Sequence, residues 1–156
     1  YVMVKTIKTT REDQKYEEIR KFTEWLISKE ADFLDKVRKM VHESSVFGVD
    51  VQSGKNTREK LLAIVESCYS AKIVIFEVYL FIQTKENLPK YRNDEYDKVK
   101  NKLESLIDAI ELFGREFYQA AESGEEVLEQ KTGNIINLLN DCDVEIRKYV
   151  QMLLEI

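Results

Sequence analysis

The chain has 156 residues, a formal net charge of −5, 44% apolar and 34% charged residues, and only one Pro and five Gly. Such a length fits one domain, with a core large enough to stand without a disulfide or metal staple. The acidic balance is spread along the chain and argues against a nucleic-acid partner, which would want a basic face. The most apolar stretch, Leu61 to Ile82, carries Glu66, Lys72 and Glu77, charges that a membrane span would bear badly, so no transmembrane segment is expected.

Few Pro and Gly with many Glu, Lys and Leu favour long helices. Residues 1–9 alternate loosely (Val2, Val4, Ile7) and read as an extended N-terminal arm ahead of a single helical-bundle domain at 10–156. Thr10-Arg11-Glu12-Asp13 places a carboxylate three residues after a hydroxyl, a helix start. The first helix is expected to run to about Glu43, with Ile19, Phe22, Leu26, Phe33, Val37 and Met40 as its apolar stripe and Trp25, Leu34 and Val41 widening it. Residues 44–55 read as a packed loop or a short extended piece: Val46 to Val51 is apolar and β-branched around Gly48, and Ser53-Gly54 is a turn pair.

Asn56 with Glu59 opens a second helix to about Thr84, with Leu61, Ile64, Cys68, Ala71, Ile75, Val78 and Ile82 in 3-4 spacing. The competing reading makes Ile73 to Ile82 a buried strand, since it is β-branched and aromatic. Helix is preferred because no turn signal separates Asn56 from Glu86. Asn87-Leu88-Pro89 ends it, the residue before Pro avoiding helical geometry. Asn93 or Asp94 caps a third helix with the stripe Val99, Leu103, Leu106, Ile110, Phe113, Phe117 and Ala120. Ser123-Gly124-Glu125-Glu126 serves as stop and second capping box. The fourth helix carries Leu128, Ile135, Leu139, Cys142, Ile146, Tyr149, Leu153 and Ile156, with Gly133 inside it as a place to kink or break. The expected fold class is all-α: a single-domain antiparallel bundle of four long helices with shallow crossing angles.

Candidate chemistry is sparse. His42 is the only histidine, and position 39, three before it, is Lys. A di-iron bundle needs Glu-x-x-His on two helices, so His42 reads as a surface residue at a helix C-terminus. Asn140 to Glu145 is acidic but lacks the Gly and spacing of a calcium loop, and reads as a solvated face. The glycines are isolated, so no phosphate loop is present. Lys98, Lys100 and Lys102 sit among Asp94, Glu95, Asp97 and Glu104 and read as salt-bridged surface. No catalytic residue, cofactor or metal is assigned.

Cys68 and Cys142 both fall on core stripes. They are either two buried free thiols acting as small hydrophobes or one disulfide between helices 2 and 4. Those helices are diagonal in an up-down bundle, which makes bridging harder. Helix 2 also stands out. Val65, Tyr69, Val74, Phe76, Tyr79, Leu80 and Phe81 surround its stripe, leaving only a narrow polar line, and it reads as the buried centre of the bundle. Its excess apolar surface has three outlets: a ligand cavity, cover for the Val46–Val51 loop, or a homodimer interface.

Segments such as Tyr16-Glu17-Glu18-Ile19-Arg20-Lys21-Phe22 and Asp97-Lys98-Val99-Lys100-Asn101-Lys102-Leu103, in a chain that opens on Tyr1 rather than Met, give it a texture that resembles the small helical exported antigens of spirochaetes such as Borrelia. The resemblance implies an exported or lipid-tethered protein whose helical surface meets host molecules, and it carries no functional residue. The expected function is a non-enzymatic interaction protein with a protein partner, exported rather than cytoplasmic. The alternatives are a ligand-sensing helical bundle and an intracellular or viral helical adaptor.

Overall fold

The computed structural model describes the backbone of residues 2–53 and 58–155 and the side chains of residues 11–50, 53 and 58–155. Among them the chain forms α1 (Val2–Gln52), α2 (Arg58–Gln83), a 3-10 turn at Pro89–Tyr91, α3 (Tyr96–Ser123) and α4 (Glu125–Leu154), with no strand. It is an all-α helical bundle. Ile73 to Ile82 is helical, as the 3-4 spacing requires.

Cross-helix contacts fix the direction of every neighbour. Lys29 reaches Glu77 and Lys36 reaches Ser70, so α1 and α2 are antiparallel. The Tyr96 hydroxyl donates to the Ile82 carbonyl at 2.8 Å, and Gly114 lies against Cys68, so α2 and α3 are antiparallel. Lys131 reaches Glu116 and Lys102 reaches Asp141, which sets α4 antiparallel to α3. α1 packs on both α2 and α4 and also reaches α3 across the centre, whereas α2 and α4 lie on the other diagonal. Short connections between successive helices produce this arrangement.

The four expected stripes form one core, Ile156 at the end of the fourth lying outside the described residues. All six residues of the α1 stripe and all seven of the α3 stripe are buried. Trp25, Leu34 and Val41 pack against this core half-buried, as does Leu61 of the α2 stripe. Gln83 to Glu95 closes the end where α2 meets α3. Tyr91, Tyr96 and Tyr149 are buried there; Tyr149 donates its hydroxyl to the Tyr91 carbonyl at 2.8 Å.

Two expectations about element limits need correction. Residues 2–9 are not an extended arm; they are the first turns of α1, in a stretch that no Pro or Gly interrupts before Gly48. Residues 44–52 are not a loop; α1 continues through them. Ser44 and Ser45 turn their hydroxyls back to the carbonyls of Met40 and Val41, so they complete the helix instead of ending it. Phe47 is buried, and the Leu128 side chain occupies the space a Cβ on Gly48 would need. Here glycine marks a close approach of α1 to α4 rather than a turn. Gly54 and Asn56 lie outside the described residues.

The caps also differ. Asn93 accepts the Glu95 N–H at 3.0 Å ahead of α3, whose N-cap is Glu95 itself. Ser123 is the last residue of α3 and donates its hydroxyl to the Gln119 carbonyl, so it does not cap α4. Gly124 alone joins the two helices with φ at 120°, a conformation L side chains rarely adopt. Gly133 sits in open space inside α4, and the helix runs through it.

Candidate interaction surface

α2 buries one face and leaves the opposite one exposed and apolar. Ile64, Cys68, Ala71, Val74, Ile75, Val78 and Ile82 are buried. Leu62, Val65, Tyr69, Ile73, Phe76 and Leu80 are between 42 and 59% exposed. At 100° per residue these six fall on one stripe directly behind the buried one. The expectation of a buried central helix is therefore corrected. In a square bundle each helix meets two neighbours and part of a third, which covers one face, and α2 has apolar residues on two.

Shallow grooves flank this face on both sides. The groove toward α3, about 280 Å³, is lined by Val65, Tyr69, Lys72, Glu111, Gly114 and Arg115. The one toward α1, about 330 Å³, is lined by His42, Val46, Phe47, Asp50, Lys60 and Ala63. Lys72 lies over the Tyr69 ring at 5.4 Å. His42 is exposed and stands ten residues before the end of α1, so it is not at a helix terminus as expected.

The polar chemistry of the bundle is concentrated where α4 meets its neighbours. Glu30 occupies the α1 stripe between Leu26 and Phe33, is 6% exposed, and its Oε2 has no hydrogen-bond donor among the described residues. Burial first, then the hydrogen bond to Asp143 and that group's charge, push the Glu30 carboxyl up to about 9. Asp143 is held below the usual range, first by the hydrogen bond from Glu30 and then, against the burial that raises it, by Arg147, whose Nε is 2.9 Å away. A neutral Glu30 carboxyl thus donates to the ionised Asp143 carboxylate.

A second acid pair joins α4 to the start of α3. Glu145 is raised mainly by Glu95, and Glu95 is lowered by the hydrogen bond from Glu145 with Lys98 adding to it. The Oε2 atoms of both are buried without other partners. The run Asn140 to Glu145 is therefore only partly a solvated face: Asp143 and Glu145 turn inward on either side of exposed Val144. Beside the first pair, Ile27, Glu30, Ile146, Arg147, Val150 and Leu154 line a groove of about 550 Å³ between α1 and α4.

The remaining expected features are placed as follows. Lys98, Lys100 and Lys102 pair with Glu95, Glu86 and Asp141, as salt-bridged surface should. Cys68 and Cys142, weighed as a disulfide, are both free buried thiols, pushed up by desolvation to about 11 and about 12. Cys68 and Cys142 lie on the two helices of one diagonal, α2 and α4, which pack on α1 and α3 and not on each other. Sequence reasoning missed Glu30, although a signal existed: it fills the stripe position left empty between Leu26 and Phe33. It also missed the packing of Lys85 over the rings of Phe22, Phe81 and Tyr91 at 4.8–5.6 Å, which brings three distant segments together. Among the described residues no helix is long and apolar enough to cross a membrane. The chain matches no protein-family model, no curated protein and no solved structure.

Proposed function

We propose that this chain is a non-enzymatic interaction protein that docks a helix of a protein partner along the outer face of α2. The observation that carries the reading is the row Leu62, Val65, Tyr69, Ile73, Phe76 and Leu80, exposed together on one side of one helix. Such a row at i, i+3, i+7 spacing is what helix-in-groove and helix-on-helix recognition uses. Scattered single apolar residues on a surface need no explanation, but an aligned set of six large ones does. An exported setting belongs to the same proposal on the texture resemblance alone, and protease treatment of intact cells tests it.

The docking reading is tested by placing a photo-crosslinking side chain at Ile73 in the protein expressed in its own cells, with Val144 of α4, equally exposed, as the control position. The expected result is a discrete protein adduct from position 73 that is absent from 144. Equal yields from both positions, or no adduct, would overturn it.

A second reading, a ligand-sensing bundle, is favoured by one observation: the α1–α4 groove is walled by apolar side chains and has buried Glu30 in its lining. Its test is whether small apolar molecules shift the NMR signals of Ile27, Ile146 and Val150 selectively.

A further inference from the structure

Resting on α2 as the docking face, we propose that its occupant is a second copy of this chain, the two α2 helices lying parallel about a two-fold axis that runs along them. Three observations carry this.

The first is spacing. Leu62, Val65 and Tyr69 recur eleven residues later as Ile73, Phe76 and Leu80. Eleven residues over three turns is about 3.67 per turn, close to the 3.6 of an ordinary helix, so the stripe runs nearly straight along α2 instead of winding off it. A straight stripe of large residues at both ends meets an identical stripe over its full length. That is the self-complementarity an isologous pair requires.

The second is area. Six large side chains about half exposed present roughly 600 Å² of apolar surface, the upper end of what a monomer leaves in one patch. A stable standard-size interface needs about 800 Å² per partner. The aliphatic stems of Glu66, Lys72 and Glu77 beside the stripe make up most of the difference. The face is thus sized for one helix of its own kind.

The third is charge. Glu66, Ser70 and Glu77 form the edge of the stripe facing α1, where Ser70 and Glu77 meet Lys36 and Lys29. Lys72 stands on the other edge, in the groove toward α3, where Arg115 is already paired with Glu111. A two-fold axis along the helix lays the α1-side edge of each protomer against the α3-side edge of its partner. The partner's Lys72 then falls level with the gap between Glu66 and Glu77, six and five residues away. An antiparallel pair would set glutamate edge against glutamate edge and Lys72 against the partner's Lys72. The parallel arrangement is the one the edges complement.

The test is sedimentation equilibrium of the full chain from about 1 to 500 µM, a range that spans the affinities of weak and ordinary dimers. Twice the chain mass is expected at the upper end. The double substitution Ile73→Glu with Phe76→Glu should weaken association at least thirtyfold with the helical circular dichroism unchanged, whereas Val144→Glu leaves it as it was. Orientation is read from oxidation. In a parallel pair Leu62→Cys and Leu80→Cys each crosslink to themselves. In an antiparallel pair only a mixture of the two would. A monomer throughout the range, equal weakening by Val144→Glu, or crosslinking confined to the mixture would overturn the proposal. A monomer that still gives a position-73 adduct of some other mass in cells would sink the second copy and leave the docking face standing. A monomer with no adduct would sink both.

Discussion

α2 and α3 lie side by side, antiparallel and nearly equal in length at 26 and 28 residues, and each buries an unbroken apolar stripe. They differ in what stands behind it. The back of α3 is mostly polar, Asp97, Lys98, Asn101, Glu104, Ser105 and Asp108 with Leu112 as a lone large apolar residue, whereas that of α2 is Leu62, Val65, Tyr69, Ile73, Phe76 and Leu80. The core treats the two helices alike; only their solvent sides differ. Apolar periodicity therefore reports that a face wants cover, and the number of neighbours decides whether the bundle itself can supply it.

The largest effect should separate a covered face from an uncovered one. Phe117 of α3 is fully buried and touches both Phe47 and Phe113. Phe117→Ala is expected to lower the urea-unfolding free energy by about 3–5 kcal/mol, from lost burial plus the cavity left behind. Phe76→Ala, on the outer face of α2, should change it by less than about 1 kcal/mol at concentrations where the chain is monomeric. Comparable losses at both positions would mean that the outer face of α2 is covered as the core is, and not open.

Glu30 is the reverse mismatch, a carboxyl on a core stripe. Its folded value is raised to about 9 from an ordinary 4.5, so the folded chain holds a proton that the unfolded chain releases between those values. Stability from this group is fully present below about pH 4.5 and is lost as pH rises toward 9. Glu30→Gln keeps the shape, needs no proton, and should raise stability at pH 8 by about 1–3 kcal/mol, the scale of an uncompensated buried polar group. The difference between Glu30→Gln and the original chain should vanish near pH 4.5 in parallel thermal melts. A gap that stayed constant with pH would show that Glu30 is not the titrating group.

The end where α2 hands over to α3 offers a smaller test. The Tyr96 hydroxyl, buried, ties the start of α3 to the last turn of α2 through the Ile82 carbonyl. Tyr96→Phe removes that donor and leaves the Ile82 carbonyl with the Lys85 N–H alone, which should cost about 1 kcal/mol in urea unfolding, the net worth of one hydrogen bond. No measurable change would place a water where the hydroxyl was.

These contrasts also show what the sequence makes legible. The stripes of α1, α3 and α4 can be read because each has one apolar face, and their burial follows from spacing alone. The interior of α2 cannot be told from its exterior by spacing, since Leu62 and Ile64 are equally apolar and only the third dimension separates them. The run from Ser44 to Gln52 has loop composition, yet Gly48 answers to Leu128, eighty residues away, and the serine hydroxyls to their own helix. The acid pairs were hidden for the same reason. Glu30 and Asp143 are unremarkable separately, and their chemistry exists only once α1 and α4 are adjacent.

The smallest effect compares two helical glycines. Gly133 lies in α4 with nothing near the place a Cβ would take, whereas the same atom at Gly114 of α3 would meet the Cys68 Cβ of α2 at 3.4 Å. Removing a helix-interior glycine normally stabilises by about 0.5–1 kcal/mol, because the unfolded chain loses freedom. Gly133→Ala should return that gain in full. Gly114→Ala makes the same backbone gain and sets its Cβ at the near limit of ordinary contact with Cys68, so its net change should be equal or smaller. The pair measures how tightly α2 is held on its buried side. A full gain at Gly114 would mean that the α2–α3 seam takes the added methyl without strain, and a net loss that it is packed too tightly to do so.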